Sequence, residues 1–123
     1  MTMIQPATLA LVQAALDAGT LRQVAYANNI ANAGTPGYRP LGVSFEDRLD
    51  AVRDAIAGGS AASLTATDIP SATLFTDPSA SALPSLDAEV AHASENALHY
   101  QALTHVLSQQ YALLDMAMSS EAK

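Results

Sequence analysis

The chain has 123 residues and no cysteine, so it is about one small domain long and has no disulfide, no catalytic thiolate and no cysteine-bound zinc. Its net charge is −7, and its five basic side chains are scattered from Arg22 to Lys123. This excludes the basic patch that nucleic-acid binding requires. Half of the residues are apolar, but many are alanine, which buries little area. We therefore expect helices that gain stability by packing on each other or on neighbouring subunits.

Nothing in the sequence predicts a membrane span or a cleaved signal. No apolar run approaches the roughly 20 residues that cross a bilayer. The first basic residue is Arg22, so the start of the chain lacks the positive region of a secretory signal peptide.

The first predicted helix extends from about Ala7 to Asn32. Pro6 suits its first turn, where a missing N–H has no cost. Gly19 is a weak point near the middle of the helix. The apolar stripe along it is imperfect and consists of Leu9, Val12, Leu16, Val24, Ala27 and Ala31.

The end of this helix is marked by turn residues. We expect Gly34 in the left-handed conformation that ends many helices, followed by a type II turn at Pro36 and Gly37. The asparagines before the turn are those of an ordinary fraying helix end, and taken alone they favour that interpretation: Asn28, Asn29 and Asn32. Alternatively, their amides bind backbone groups and fix the exit of the chain, with Tyr38 as an anchor whose ring is buried and whose hydroxyl is bonded.

The middle of the chain, residues 39–84, is predicted to be an arm of variable structure. Ser44 and Asp47 resemble a capping box, and the apolar spacing behind them predicts a short amphipathic helix at 45–57 that ends at Gly58. Residues 58–84 shift to Ser, Ala, Thr, Gly and Pro, which predicts either a disordered arm or a loop that orders against a partner. Short strands at 64–67 and 73–76 are further alternatives.

The last helix has the clearest pattern. Ser85 is a good N-cap, and Asp87 and Glu89 place negative charge in the first turn. Steps of four and three then connect Leu86, Val90, Ala93, Ala97, Tyr100, Thr104, Leu107, Tyr111, Leu114 and Met118. This heptad pattern predicts a coiled-coil contact along a rod of roughly 50 Å. A second apolar set predicts a second contact surface and consists of Leu98, Leu103, Val106 and Leu113.

The predicted fold is all-α, with two long terminal helices packed as an antiparallel coiled coil. Residues 1–38 form the N-terminal helix and turn, 39–84 the middle arm, and 85–123 the C-terminal helix. We call the residues expected to hold the helix pair the terminal seam: Leu9, Leu16, Val24, Leu86, Val90, Tyr100, Leu107, Tyr111 and Leu114.

The polar residues do not indicate an enzyme. His92, Glu95 and His99 share one helix face, but the heptad register places them away from the predicted contact and no fourth ligand is evident. A solvated or intersubunit polar face explains them better than a metal site. The sequence has no nucleophile elbow and no phosphate-binding loop. We therefore predict no catalytic residue, no cofactor and no metal.

Residues 29–38 (NIANAGTPGY) resemble the signature shared by flagellar rod, hook and hook-associated proteins. Residues 86–90 (LDAEV) and 95–103 (ENALHYQAL) are similar to the FlgB family of proximal rod proteins, as are the short length and the small middle region. The resemblance covers residues 10–48 and 84–118. It predicts a signature turn made by Asn29, Asn32, Gly34, Pro36, Gly37 and Tyr38.

The resemblance implies a structural subunit of the proximal rod of the bacterial flagellar basal body. Such a subunit polymerises through its terminal helices around the export channel and helps transmit torque. The implied partners are other copies of the chain, FlgC-like and FlgF-like rod subunits, a FliE-like adapter, and the MS-ring and export-gate side of the basal body. The implied location is the periplasmic rod, reached through the flagellar type III apparatus without a cleaved signal.

Two features depart from the family pattern, namely Pro40 after the turn and the Ala-, Ser- and Gly-rich middle. Two alternatives stay open at this point. One is another axial rod subunit, such as a FlgC-like protein. The other is a helical chaperone or adaptor for secretion.

Overall fold

The computed structural model describes residues 6–80 and 82–122. The parts of the predicted segments at residues 1–5, 81 and 123 lie outside the described residues. In chain order, the elements are helix α1 (Pro6–Ala31), strand β1 (Leu41–Ser44), helix α2 (Asp50–Ala57), strand β2 (Thr73–Thr76) and helix α3 (Leu86–Glu121).

The two long helices, α1 and α3, make the most extensive contact between elements. Asn29 lies beside Glu89 and Gly19 lies beside Tyr100, so the residue numbers rise along one helix as they fall along the other. The two helices therefore run in opposite directions. The prediction that long N- and C-terminal helices pack together is confirmed.

Small side chains dominate the buried positions of α1, which are Ala7, Ala18, Gly19, Ala25 and Asn29. Alanine contributes little apolar area, but it lets neighbouring elements approach closely. The larger buried apolar groups are Phe45 and Val52, which lie in the middle region. The core of the described chain is consequently thin, as its composition predicted.

The expectation of an all-α chain is wrong at one place. Strands β1 and β2 pair antiparallel, with Leu41 opposite Thr76 and Ser44 opposite Thr73, and β1 packs against α1. The ring of Phe75 covers Gly42, where a Cβ would lie only 2.9 Å from the ring carbon Cζ. The strand at 73–76 is confirmed, but β1 was not expected because its pairing partner lies about thirty residues further along the chain.

The short middle helix begins later than predicted, at Asp50 rather than Phe45. Phe45 is buried, and a single 3₁₀ turn at Glu46–Arg48 separates it from α2. The Ser44 hydroxyl donates to the Asp47 carboxylate at 2.9 Å, so these residues do not form the expected capping box. The pairing of β1 holds Ser44 in an extended conformation and overrides the local helix signal. The end of the helix before Gly58 is confirmed.

The alternative strand at 64–67 is also wrong. The chain forms a single 3₁₀ turn at Ala66–Asp68, and the Asp68 carboxylate accepts hydrogen bonds from the backbone N–H and the hydroxyl of Thr65. These local bonds compete with an extended ladder, as Thr and Asp side chains commonly do in turns.

The helix ends are built partly as predicted. Ser85 caps α3, since its hydroxyl accepts from the Ala88 N–H at 3.5 Å. After α1, the Tyr38 N–H donates to the Thr35 carbonyl and Gly37 has φ +77°, which are the features of a type II turn. Gly34, however, is not left-handed, so that expectation is wrong. Hydrogen bonds from Ala33 N–H to the Ile30 carbonyl, and from Thr35 N–H to the Asn32 carbonyl, close the helix instead.

This difference between Gly34 and Gly37 predicts that substitution by alanine lowers the stability of the fold at one position and hardly changes it at the other. Gly37→Ala forces a side chain into the left-handed region, which costs about 1–2 kcal/mol. Gly34→Ala adds a Cβ with no heavy atom within 4 Å, and should change stability by less than about 0.5 kcal/mol. Urea unfolding of both variants, followed by circular dichroism, checks the pair. Equal losses would contradict the turn described here.

Candidate functional site

Among the residues that the structure describes, no side chain makes more hydrogen bonds than that of Asn29, which makes four. It is 2% exposed and uses all of its hydrogen-bonding capacity. Its Nδ2 donates to the Leu41 carbonyl at 3.0 Å and to Glu89 Oε2 at 3.1 Å. Its Oδ1 accepts from the Tyr38 hydroxyl and from the Leu41 N–H, both at 2.8 Å. We call Asn29, Tyr38, Leu41 and Glu89 the Asn29 network.

The network joins four parts of the chain. Asn29 belongs to α1, Tyr38 to the type II turn, Leu41 to β1 and Glu89 to α3. Because a buried amide that loses a partner costs about 1–3 kcal/mol, the four parts stabilise one another. The alternative in which the asparagines fix the exit of the chain from the helix therefore describes Asn29 well.

Tyr38 is half-buried, and its hydroxyl must stay protonated to donate to Asn29. Partial burial, and next the negative charge of Glu89, raise the pKa of this hydroxyl above its ordinary value. A raised pKa means that the neutral form is favoured in the folded state. Its contribution to stability is present at neutral pH and is lost only as the pH rises through that raised pKa.

The remaining signature residues form no hydrogen bond to this network. The Asn32 Nδ2 donates to the Asn28 carbonyl at 2.9 Å, and its Oδ1 accepts from the Thr35 hydroxyl at 3.2 Å. Asn28 is exposed and donates to the Val24 carbonyl one turn earlier in the same helix. Gly34, Pro36 and Gly37 are exposed. The signature thus combines one buried asparagine with a solvent-facing turn.

A second buried polar contact joins α3 to Gly19, which lies ten residues before Asn29 in α1. Asn96 of α3 is 7% exposed, and its Nδ2 donates to the Gly19 carbonyl at 2.9 Å and to Gln23 Oε1 at 3.0 Å. A Cβ at position 19 would lie 3.0 Å from Tyr100 Cδ2, so the glycine allows α3 to approach closely. We call Gly19, Gln23 and Asn96 the Asn96 contact.

A polar cleft of about 200 Å³ lies between α1 and α3, and its lining residues are Arg22, Tyr26, Glu46, His92, Glu95, Asn96 and His99. His92, Glu95 and His99 therefore lie beside α1, so the expectation that they face away from the helix contact is wrong. Arg22 forms an ion pair with Glu46, and the rings of Tyr26 and His92 lie 5.8 Å apart. Burial raises the pKa of the Tyr26 hydroxyl, while the Arg22 guanidinium acts in the opposite direction. Within residues 6–80 and 82–122, no group of three or more His, Cys, Asp or Glu side chains is arranged to hold a metal ion.

The terminal seam lies only partly inside the single chain. Leu9, Leu16 and Leu107 are half-buried. The other seam residues are between 40% and 50% exposed: Val24, Leu86, Val90, Tyr100, Tyr111 and Leu114. Within the described chain, no other element covers these six side chains fully.

Further large apolar groups of α3 also face solvent, namely Leu98, Val106, Leu113, Met116 and Met118. Leu98, Met116 and Met118 are each more than 60% exposed. Several large exposed apolar side chains on one helix are typical of an interaction surface rather than of an isolated monomer.

Asn96 and Gln23 were not predicted to be contact residues, and the only contact predicted for Glu89 was with the helix dipole. For Glu89 and Asn96, the spacing in the sequence does indicate a shared helix face. Glu89 and Asn96 are seven residues apart, with Leu103 and Gln110 continuing the same spacing. The row at 89, 96, 103 and 110 is less apolar than the predicted seam. A search for apolar residues at heptad spacing therefore selects the terminal seam instead. Ala93, Leu103, Leu107 and Gln110 are half-buried in the structure.

Residues 12–39, which include Asn29 and Tyr38, match the family described as flagella basal body rod protein. No curated protein and no solved structure matches the chain significantly. In the part of the chain that the structure describes, no helix is long and apolar enough to span a membrane.

The Asn29 network predicts a large effect of a nearly isosteric change. Asn29→Asp removes both Nδ2 donors and places a carboxylate against the Leu41 carbonyl and Glu89, which should cost about 3 kcal/mol or more. Lowering the pH should recover part of this loss, because protonating either carboxylate removes the repulsion. Unfolding measured at neutral and acidic pH tests both statements.

Asn28→Asp is the matched control, since Asn28 is the exposed neighbour with one bond inside its own helix. We expect a loss of about 1 kcal/mol or less from a negative charge near the end of the helix. If the two variants lose equal stability, Asn29 does not have the role described here.

Proposed function

We propose that the chain is a flagellar basal body rod protein and, more specifically, the FlgB-like subunit of the proximal rod; its match to the rod-protein family over residues 12–39 supports this. Proteins of this family are structural rather than enzymatic, and they act with other rod components. The observation that carries the proposal is the Asn29 network. It connects the matched segment to Glu89, which lies in the C-terminal region that resembles FlgB proteins.

In the proposed assembly, the terminal helices pair as an antiparallel coiled coil, and copies of this pair polymerise around the export channel and help transmit torque. The half-exposed seam residues support this proposal, because they would become buried between subunits. The exposed apolar groups of α3 support it in the same way. Residues 1–38 and 85–123 would then form the rod, and residues 39–84 would contact neighbours as a variable arm.

The proposed location is the periplasmic rod, reached by flagellar type III export without cleavage. The proposed partners are copies of the chain, FlgC-like and FlgF-like subunits, a FliE-like adapter, and the MS-ring and export-gate side of the basal body. The similarity of residues 95–103 to FlgB proteins favours a FlgB-like over a FlgC-like place. The order in which rod subunits assemble in deletion strains tests that choice.

A helical secretion adaptor is the competing interpretation from a different class. Circular dichroism and sedimentation of the purified chain at increasing concentration separate the two. The rod proposal predicts low helicity that rises with self-association or with a rod partner. A stable, fully helical monomer or dimer at low concentration would favour the adaptor.

Substitution in the seam provides a second test. Leu107→Asp places an unpaired carboxylate among half-buried apolar groups of α3, where burial of a charge is strongly unfavourable. We expect loss of incorporation into the basal body and loss of swimming, measured by basal-body purification and motility assays.

The control is Gln101→Asp, which adds the same charge at an exposed position of the same helix. It should leave both readouts largely unchanged. Normal swimming of the Leu107→Asp strain would count against the seam.

A further inference from the structure

The Asn96 contact combines two features that are unfavourable for an isolated helix. Glycine inside a helix costs about 1 kcal/mol relative to alanine. A buried side-chain amide is costly unless its hydrogen bonds are made. In the structure the two features meet, because the Asn96 amide donates to the Gly19 carbonyl, and the missing Cβ of Gly19 leaves room for the ring of Tyr100, one turn further along the same helix as Asn96.

The other contacts between the long helices discriminate poorly between registers. The buried positions of α1 are mostly alanine, and the contact row of α3 repeats every seven residues. Sliding one helix by a heptad would place similar small and apolar groups opposite each other. In such helix pairs, a single buried polar residue commonly specifies the register.

Both shifts by one heptad would be penalised at Gly19. In one direction Glu89 would replace Asn96, so that a carboxylate faces the Gly19 carbonyl, acceptor against acceptor. In the other direction Leu103 would lie there, and Gln23 Oε1 would lose its bond from Asn96. Either shift also separates Asn29 from Glu89, whose bond belongs to the Asn29 network.

We propose that Asn96, together with Gly19 and Gln23, selects the register in which α3 packs on α1 and so positions Glu89 beneath Asn29. Asn96 is a positioning residue in this account, and its role does not depend on which assembly the chain enters. Because α3 packs mainly against α1, the contact between these two helices decides its register.

The chain has no cysteine, so introduced pairs report the register without background. Tyr26→Cys with His92→Cys reports the register described here, since the two rings lie 5.8 Å apart. Tyr26→Cys with His99→Cys reports the shift by one heptad, about 10 Å along the helix, that brings Leu103 to Gly19. Each pair is treated with a thiol cross-linker whose reach is about one helical turn. Intramolecular products are counted by mass spectrometry at a concentration where helicity has reached its plateau.

With Asn96 present, we expect the 26–92 product and only background for the 26–99 pair. With Asn96→Leu, we expect the 26–99 product to rise to a yield comparable with the 26–92 product, because the apolar contact persists in both registers. Gln101→Leu is the matched control and should retain the original preference. An unchanged preference in Asn96→Leu would overturn the proposal. So would loss of helicity in that variant, since it would make Asn96 a determinant of stability rather than of register.

Discussion

The fold depends on a single carboxamide with four bonds. The Asn29 side chain donates two hydrogen bonds and accepts two, and its four partners lie in the turn, β1 and α3. None of those parts can move away without leaving a buried donor or acceptor unpaired. The path of the chain after α1 and the position of α3 are thus one constraint rather than two. The family match falls on the segment that supplies Asn29 and Tyr38.

The hydrogen bonds of Asn29 matter more because the apolar core is thin. The buried positions of α1 are mainly alanine and glycine, so apolar burial stabilises the helix pair without defining its geometry closely. The hydrogen bonds of Asn29 and Asn96 define the relative position of the two helices. The larger apolar groups of α3 remain outside, where a neighbouring subunit can cover them. This arrangement fits the proposed assembly, because polar contacts define the geometry of the helix pair while large apolar side chains of α3 stay exposed.

The sequence predicted the features that depend on local rules. Helical spacing predicted both long helices, Ser85 predicted the cap of α3, and Pro36 with Gly37 predicted the turn. Features that depend on distant partners were missed or misplaced. Strand β1 exists through its pairing with β2, and that pairing delays α2 to Asp50. Asn96 was missed because a polar residue opposite a glycine carries no apolar signal, although it is the buried residue of α3.

Hydrogen exchange at the Leu41 amide tests the central claim most directly. This N–H bonds to the Asn29 side chain and not to a neighbouring strand, so its protection reports the network itself. Measured by nuclear magnetic resonance on the full, helical chain, it should exchange as slowly as the amides of α1 that face α3. Asn29→Ala should bring it to the rate of an open loop. Fast exchange of Leu41 in the unaltered chain, with the helices still protected, would contradict the account.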